Sequence, residues 1–434
     1  MRSAVAHARS RPQASARGWR LSQWLGHLLF LVLLLSMIDG LMPQAEMALF
    51  SGHVLIPTVV LKALVIAVAA LGVLIKPKLG TTRQVLYAWV ALVTYLIVEA
   101  LFFTLTTRYS SIYILYSFEA TLYFLLILPF MFAFKETIDE GQISTVIMWL
   151  FAPLVILGVW QGATNHPILP TTSVDQYFQV YSWDFYGRVR AFSFFGSASN
   201  FGHFLALVAA MCVAALGQWR GLRKSLAATG LAMALIATYM TLTRATYVEV
   251  LLAVTTATLI TFFKWRGGWL SLLWGVYAGI GLFVAFVAPV IIAGIRGTDH
   301  LFADASLIIR YEEWAHYGGI WLSHGIDTML FGTGLMQSSR FAITRQVVID
   351  NVWLSLVFQF GLVGFIIVLA FIWQLWKILL DGLHAHQRSI LTIGVISACS
   401  TFPFTSIFGI TTLNFFLLFM IWLVSRKSLV SHGF

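Results

Sequence analysis

Charged residues are scarce in this sequence. Asp, Glu, Lys and Arg make up only 10% of its 434 residues, whereas 59% are hydrophobic. In soluble globular domains about a quarter of the residues are charged. The composition therefore excludes an ordinary soluble domain and predicts a polytopic membrane protein.

Cysteine is almost absent, and no metal-binding motif occurs in the sequence. Cys212 and Cys399 both lie within apolar runs, so they predict no disulfide framework. The chain has no HExxH or CxxC motif, and no two histidines are spaced four residues apart, as they are in a helical zinc pair. We therefore expect no metal and no cofactor.

The basic residues follow a pattern along the chain. The net charge of +10 comes mostly from Lys and Arg in short connections between apolar runs. At such positions they set the orientation of a membrane protein, so we expect no nucleic-acid partner. The first twenty residues hold five arginines and no acid, and the next apolar run has full spanning length without a small-residue cleavage site. This pattern indicates a cytoplasmic tail and a first span.

Twelve apolar runs are about as long as the 20 or so residues that a helix needs to cross a bilayer. They are 22–42, 55–75, 85–106, 112–134, 143–161, 192–217, 225–242, 246–263, 269–294, 352–376, 390–408 and 410–425. Because backbone groups in lipid must be paired within their own segment, we predict an all-α fold of about 12 transmembrane helices. With both termini in the cytoplasm, 18 of the 27 Lys and Arg residues fall on the cytoplasmic side and eight on the outer side.

The predicted domains follow from these runs. Residues 1–21 form the basic tail, and 22–294 hold transmembrane helices 1–9 together with an outer segment, 162–190. Residues 295–351 form a periplasmic loop domain, and 352–434 hold helices 10–12 and a cytoplasmic tail. The aromatic residues of the first outer segment are either an interfacial belt or a platform for sugar rings.

The long outer loop is the most polar passage of the chain and is where we expect chemistry. Within it, the apolar residues from Ala305 to Trp321 follow helical spacing, which predicts an amphipathic helix lying along the membrane surface.

Two arginines stand where a charge is costly. Arg244 lies at an outer junction between two spans with almost no loop, and Arg190 begins a passage of small and polar residues that ends at Gly202. Such a passage favours close packing or an irregular backbone that lines a cavity. Arg244 either faces a cavity or extends to headgroup phosphates. Because a guanidinium fork binds two oxygens at once, arginines on one side suggest a diphosphate ligand.

Other ionisable residues lie in or near the spans. They form a proton path or, alternatively, intramembrane pairs and interface contacts. These residues are Asp39, Lys62, Glu99, Glu119 and Glu249.

Four passages, taken in order, resemble the O-antigen ligase and polysaccharide polymerase superfamily, the Wzy/WaaL group of bacterial envelope glycosyltransferases. They are Arg190 to Gly202; Thr243-Arg244; Arg310 to Trp314 followed by Phe331 to Gly334; and Asp350 to Leu354 through Gly364.

The resemblance implies a metal-independent transferase of GT-C architecture at the periplasmic face of the bacterial inner membrane. Its donor and acceptor would be undecaprenyl-diphosphate-linked glycans, and its partners would include membrane lipids and a chain-length regulator. By position, Arg190 and Arg244 would bind the diphosphate, Arg310 would support them, and Arg188 is a neighbour that could take the same role.

The sequence departs from the ligases of this family at Asp350, because they typically have a histidine before the asparagine and this chain has Asp350-Asn351. A carboxylate can act as general base when burial offsets the pull of nearby arginines on its pKa. His316 and His324 are second-choice bases. Alternatively, Asp350 caps the following helix.

Three functions remain open from the sequence. The first is polymerisation of lipid-linked repeat units into exopolysaccharide or O-antigen, which the Asp-Asn pair favours. The second is ligation of finished polymer to lipid A-core. The third, from a different class, is secondary transport, although the halves of the chain do not match as they do in many transporters.

Overall fold

The computed structural model describes residues 83–106, 140–166, 184–185, 188–195, 198–287, 305–323, 325–333, 352–385 and 389–401. The helices there are α1 (Arg83–Thr106), α2 (Glu140–Thr164), α3 (Ala198–Gln218), α4 (Leu222–Met240), α5 (Arg244–Thr261), α6 (Gly267–Leu282), α7 (Ala305–Ser323), α8 (Ile326–Phe331), α9 (Val352–Ala385) and α10 (Ile390–Cys399). A π-helical turn, Phe283–Val287, extends α6, and the two-residue strands β1 (Asp184–Phe185) and β2 (Arg188–Val189) pair antiparallel. The all-α prediction is thus confirmed for these residues, apart from that small ribbon.

Helix α3 lies at the centre of the described bundle. Its residues are almost all buried from Ala198 to Ala215, and it packs against α4, α5 and α10. Many of these residues are alanine or glycine, which let neighbouring backbones approach closely. Gln84–Phe102, Ala198–Gln218 and Leu356–Asp381 are long and apolar enough to cross a membrane.

Glycine contacts give the direction of α5 relative to α3. A Cβ on Gly202 would collide with the Thr246 side chain, and a Cβ on Gly217 would collide with Thr261. In both contacts the α5 residue follows its α3 partner by the same number of positions. Moving along α3 therefore moves the contact in the same direction along α5, so the two helices run parallel. Their first residues, Ala198 and Arg244, therefore lie at the same end of the bundle.

Helices α2 and α4 run the opposite way. A Cβ on Gly162 would come 2.7 Å from the Met240 Cβ, and one on Gly230 would come 3.1 Å from the Cys212 Sγ. The last turns of α2 and α4 thus meet the first turns of α3 and α5. We call this the Arg190 end; it comprises Asn165, residues 188–195 and residues 240–244.

Cationic residues collect at the opposite end, where α3 and α5 finish and α4 and α6 begin. They are Arg220, Arg223, Lys224, Lys264 and Arg266. The Lys264 ammonium donates to the Thr261 carbonyl, 2.6 Å away, at the end of α5. The sequence assigns this end to the cytoplasm, and that sidedness stays a prediction.

Helix α9 is broken at Gly361, whose backbone is not helical (φ 61°, ψ −173°). Gly332, which follows α8 with φ 82°, lies against the break. A Cβ on Gly332 would collide with the backbone of Gln359, and a Cβ on Gly361 would collide with the backbone of Leu330. The Thr333 N–H and hydroxyl both donate to the Phe358 carbonyl at 2.9 Å. The Tyr95 hydroxyl of α1 donates to the Phe360 carbonyl at 2.5 Å. Two of the passages that carry the family resemblance therefore meet here.

Several predicted bounds were wrong. The run 192–217 is not helical at its start, because residues 190–195 form an irregular segment bonded to α2, and α3 spans Ala198–Gln218. The run 352–376 continues to Ala385, and the helix of 390–408 ends at Cys399, followed by a turn at residues 400–401.

The runs 85–106, 143–161, 225–242 and 246–263 are confirmed as helical, as is 269–294 up to residue 287. The runs 22–42, 55–75, 112–134 and 410–425 lie outside the described residues.

The amphipathic helix predicted from Ala305 to Trp321 is confirmed as α7. Its Trp314, Tyr317 and Trp321 pack around Leu354 and Phe358 of α9. The apolar face is thus covered by protein in this region, and the prediction that the helix lies along a membrane surface stays a prediction.

Candidate functional site

The backbone around Arg190 is held from both sides. The Val189 N–H donates to Asn165 Oδ1 at 2.6 Å, and the Ala191 N–H donates to the Met240 carbonyl at 2.9 Å. The Phe192 and Ser193 N–H groups both donate to Gln161 Oε1, at 3.0 and 2.9 Å. An irregular segment thereby pairs its backbone groups inside an apolar bundle, where an unpaired group is costly.

Aromatic side chains anchor the same segment to α3. Phe195 is fully buried, and its ring centroid lies 5.4 Å from that of Phe201 and 5.2 Å from that of Phe204. Between Arg190 and this anchor, Ser193 has a φ of 51°, which L-residues rarely adopt. The bonds from Gln161 stabilise that conformation.

Arg244 is the first residue of α5 and is exposed. The turn before it is tight: Leu242 has a φ of 49°, and the Thr243 hydroxyl donates to the Thr241 carbonyl at 2.9 Å. Only residues 241–243 connect α4 to α5. The packing of these two helices therefore determines the position of Arg244.

Tyr247 joins α5 to α4 at the Arg190 end. It lies one turn after Arg244 on α5, and its hydroxyl donates to the Tyr239 carbonyl at 2.9 Å. Arg190 and Arg244 are 54 positions apart in the sequence, and both lie at this end of the bundle.

Arg188 lies in β2, two residues before Arg190, and is exposed. Its register partner is Phe185 of β1. Arg188 is thus close to Arg190 in sequence and lies at the same end of the bundle as Arg190 and Arg244.

A buried polar layer lies between α3 and α5, about one and a half turns inward from their first residues. His203 Nδ1 contacts Glu249 Oε1, and both residues are buried. Glu249 thus has a partner in the described bundle, and the choice between a proton path and an intramembrane pair stays a prediction. Among the described residues, no three His, Cys, Asp or Glu side chains are grouped closely enough to hold a metal ion.

The candidate bases are less fully described. His316 is exposed on α7, with its ring centroid 5.5 Å from that of Tyr317, and α7 packs against α9. Arg310 is part of the α7 backbone, but its side chain lies outside the description, as do His324 and Asp350 altogether. The structure therefore places Arg190 and Arg244 at the same end of the bundle and His316 on a different pair of helices.

Sequence reasoning missed Gln161 and Asn165. A glutamine inside an apolar run is itself a signal, because its amide must find partners there, but Gln161 stood at the predicted end of its run. Tyr95 was also missed, and so was the environment of Glu99, whose buried carboxylate has no hydrogen-bond partner within the described part of the chain.

No protein-family model matches the chain, and no curated protein matches it.

Proposed function

We propose that this protein is a glycosyltransferase that polymerises undecaprenyl-diphosphate-linked repeat units into exopolysaccharide or O-antigen at the periplasmic face of the inner membrane. The proposal includes the twelve-span GT-C plan and membership of the Wzy/WaaL-like superfamily. Its basis in the sequence is the order of four passages.

One structural observation supports it best. Because α3 and α5 run parallel, the Arg190 segment and Arg244 meet at one end of the bundle. Two guanidinium groups from separate elements offer several N–H donors to one anion and keep their charge at any physiological pH. That arrangement suits a lipid diphosphate whose head lies at the membrane surface.

In the proposed reaction, a hydroxyl oxygen of the acceptor sugar attacks the anomeric carbon of the donor. The bond from that carbon to the diphosphate breaks, and the hydroxyl proton passes to the Asp350 carboxylate. The arginines hold the leaving lipid diphosphate and neutralise the charge that develops on it. His316 and His324 are the second choices for the base, and Arg310 would support the diphosphate.

Arginine replacement tests the diphosphate role. We expect Arg190→Ala or Arg244→Ala to lower polymerisation by about 100- to 1000-fold, the usual effect of removing one donor to a developing oxyanion. The measurement is polymer formed per unit of membrane-inserted protein. Arg220→Ala, an exposed arginine at the opposite end, is the matched control and should retain activity.

The products identify the acceptor. If the variants accumulate single repeat units without long chains, the lost step is polymerisation. If they accumulate long polymer that is not attached to lipid A, the protein is a ligase. Full-length polymer from well-expressed Arg190→Ala and Arg244→Ala variants would exclude the diphosphate role.

A further inference from the structure

We infer that Gln161, near the end of α2, is a positioning residue for Arg190 and that Asn165, four residues later, assists it. The inference rests on the diphosphate-binding role proposed for Arg190. It concerns residues that carry no charge and that the family resemblance does not include.

The two side chains hold the segment at both sides of Arg190. Gln161 lies in the last turn of α2, and Asn165 is the residue that follows the helix, so both stand at the same end of α2. Asn165 binds the N–H just before Arg190, and Gln161 binds the second and third N–H groups after it. With the bond from Ala191 to the Met240 carbonyl, Arg190 has little backbone freedom in either direction.

The local chemistry of each residue fits this task. Asn165 has a φ of 58°, a left-handed conformation common where helices end, and asparagine tolerates it better than most residues do. It thus ends α2 and presents an acceptor to Val189 in the same turn.

Gln161 is fully buried, and its Nε2 has no hydrogen-bond partner within the described part of the chain. A buried amide satisfied on one side only costs stability that an apolar residue would not. Packing alone therefore does not account for a glutamine at this position. Its Oε1 accepts hydrogen bonds from two consecutive N–H groups of the Arg190 segment, those of Phe192 and Ser193.

The consequence for function is geometric. The segment that carries Arg190 is bonded to Met240 at the end of α4, and Arg244 begins α5 a few residues later, so the place of Arg190 relative to Arg244 depends on the backbone of this segment. A displacement of about 1 Å in a positioning group can lower a rate by about 100-fold. Loosening the segment should therefore lower turnover while both arginines remain present.

Amide hydrogen exchange of the full-length protein in nanodiscs tests the contact directly. Gln161→Met keeps the length and burial of the side chain and removes the acceptor. We expect the peptide that covers residues 188–195 to exchange about 5- to 30-fold faster in this variant, as for the loss of one or two hydrogen bonds worth about 1 kcal/mol each. Gln161→Glu retains acceptor oxygens and should keep exchange slow. Gln218→Met, an exposed glutamine at the opposite end, is the matched control.

Kinetics with an undecaprenyl-diphosphate-linked donor complete the test. In Gln161→Met we expect kcat to fall by about 10- to 100-fold, whereas Gln218→Met should match the unmodified protein. If Gln161→Met fails to fold, Asn165→Gly serves instead, because glycine accepts the same φ without the acceptor oxygen. It should also speed exchange of the same peptide.

Unchanged exchange in Gln161→Met, or in Asn165→Gly where that variant replaces it, would overturn the inference. So would faster exchange with normal turnover. Arg190→Ala separates this failure from that of the proposed function: if Arg190→Ala abolishes activity while Gln161→Met does not, only the positioning role is wrong.

Discussion

At the scale of single residues, the buried His203–Glu249 pair ties α3 to α5 just below the Arg190 end. Removing one partner from such a pair leaves a polar group alone in an apolar interior, which is more costly than replacing both. The pair helps to fix the register that places the first residues of α3 and α5 at the same end of the bundle.

We therefore predict strong coupling between these two positions. Glu249→Met should lower the free energy of unfolding by about 3–5 kcal/mol, whereas the double variant His203→Leu with Glu249→Met should recover most of that loss. Reversible unfolding in mixed micelles measures both. Strictly additive losses in a double-mutant cycle would show that the pair does not interact.

Residue positions were only partly predictable from the sequence. Arg190 and Arg244 were identified from the free-energy cost of a charge near a bilayer. Because successive connections between spans lie on alternate sides of the membrane, both arginines were predicted on the outer side. Gln161 was missed because its role depends on backbone N–H groups 31 and 32 positions later, and sequence spacing does not reveal such a contact.

At the scale of elements, the break in α9 is the clearest departure from a regular span. The chain bends at Gly361, and the carbonyl group that precedes the bend is bonded by a tyrosine of another helix, Tyr95. This kind of backbone is tolerated at membrane depth only where protein surrounds it. Gly332 and Gly361 fit because each lacks a Cβ.

Replacement of the second glycine tests this account. Gly361→Ala should lower the free energy of unfolding by about 1–3 kcal/mol or more, because φ is 61° and the new Cβ would collide with the Leu330 carbonyl. Gly275→Ala, in α6, should be neutral or stabilising, because no atom of the described residues lies within 4 Å of the new Cβ. Equal effects of the two substitutions would contradict a strained break.

Hydropathy predicted the existence of these elements better than their ends. It gave α1, α2, α4 and α5 to within a few residues, since long apolar runs must be helical in lipid. It began α3 too early because the phenylalanines of residues 192–195 are as apolar as a span. Only their pairing with α2 shows that they are not helical.

At the scale of the whole molecule, the described bundle has two ends of different character. One holds the irregular Arg190 segment and the tight turn before Arg244, and the other holds a group of five Lys and Arg residues. The positive-inside rule assigns the second end to the cytoplasm.

Cysteine accessibility in spheroplasts tests that assignment. In a background with Cys212 and Cys399 replaced, we expect a membrane-impermeant maleimide to label Arg188→Cys without permeabilisation. Arg223→Cys, exposed at the opposite end, should be labelled only after permeabilisation. The reverse pattern would invert the orientation and move the proposed reaction to the other side of the membrane.

The parallel course of α3 and α5 has an electrostatic consequence. Each helix N-terminus carries about half an elementary charge from its aligned peptide dipoles, and these two termini lie together. The Thr243 side chain does not cap the first turn of α5, so that turn's N–H groups add to the attraction for an anion. The two macrodipoles together are equivalent to about one further positive charge beside Arg190 and Arg244. Because this charge comes from backbone peptide groups, replacing the arginines would not remove it.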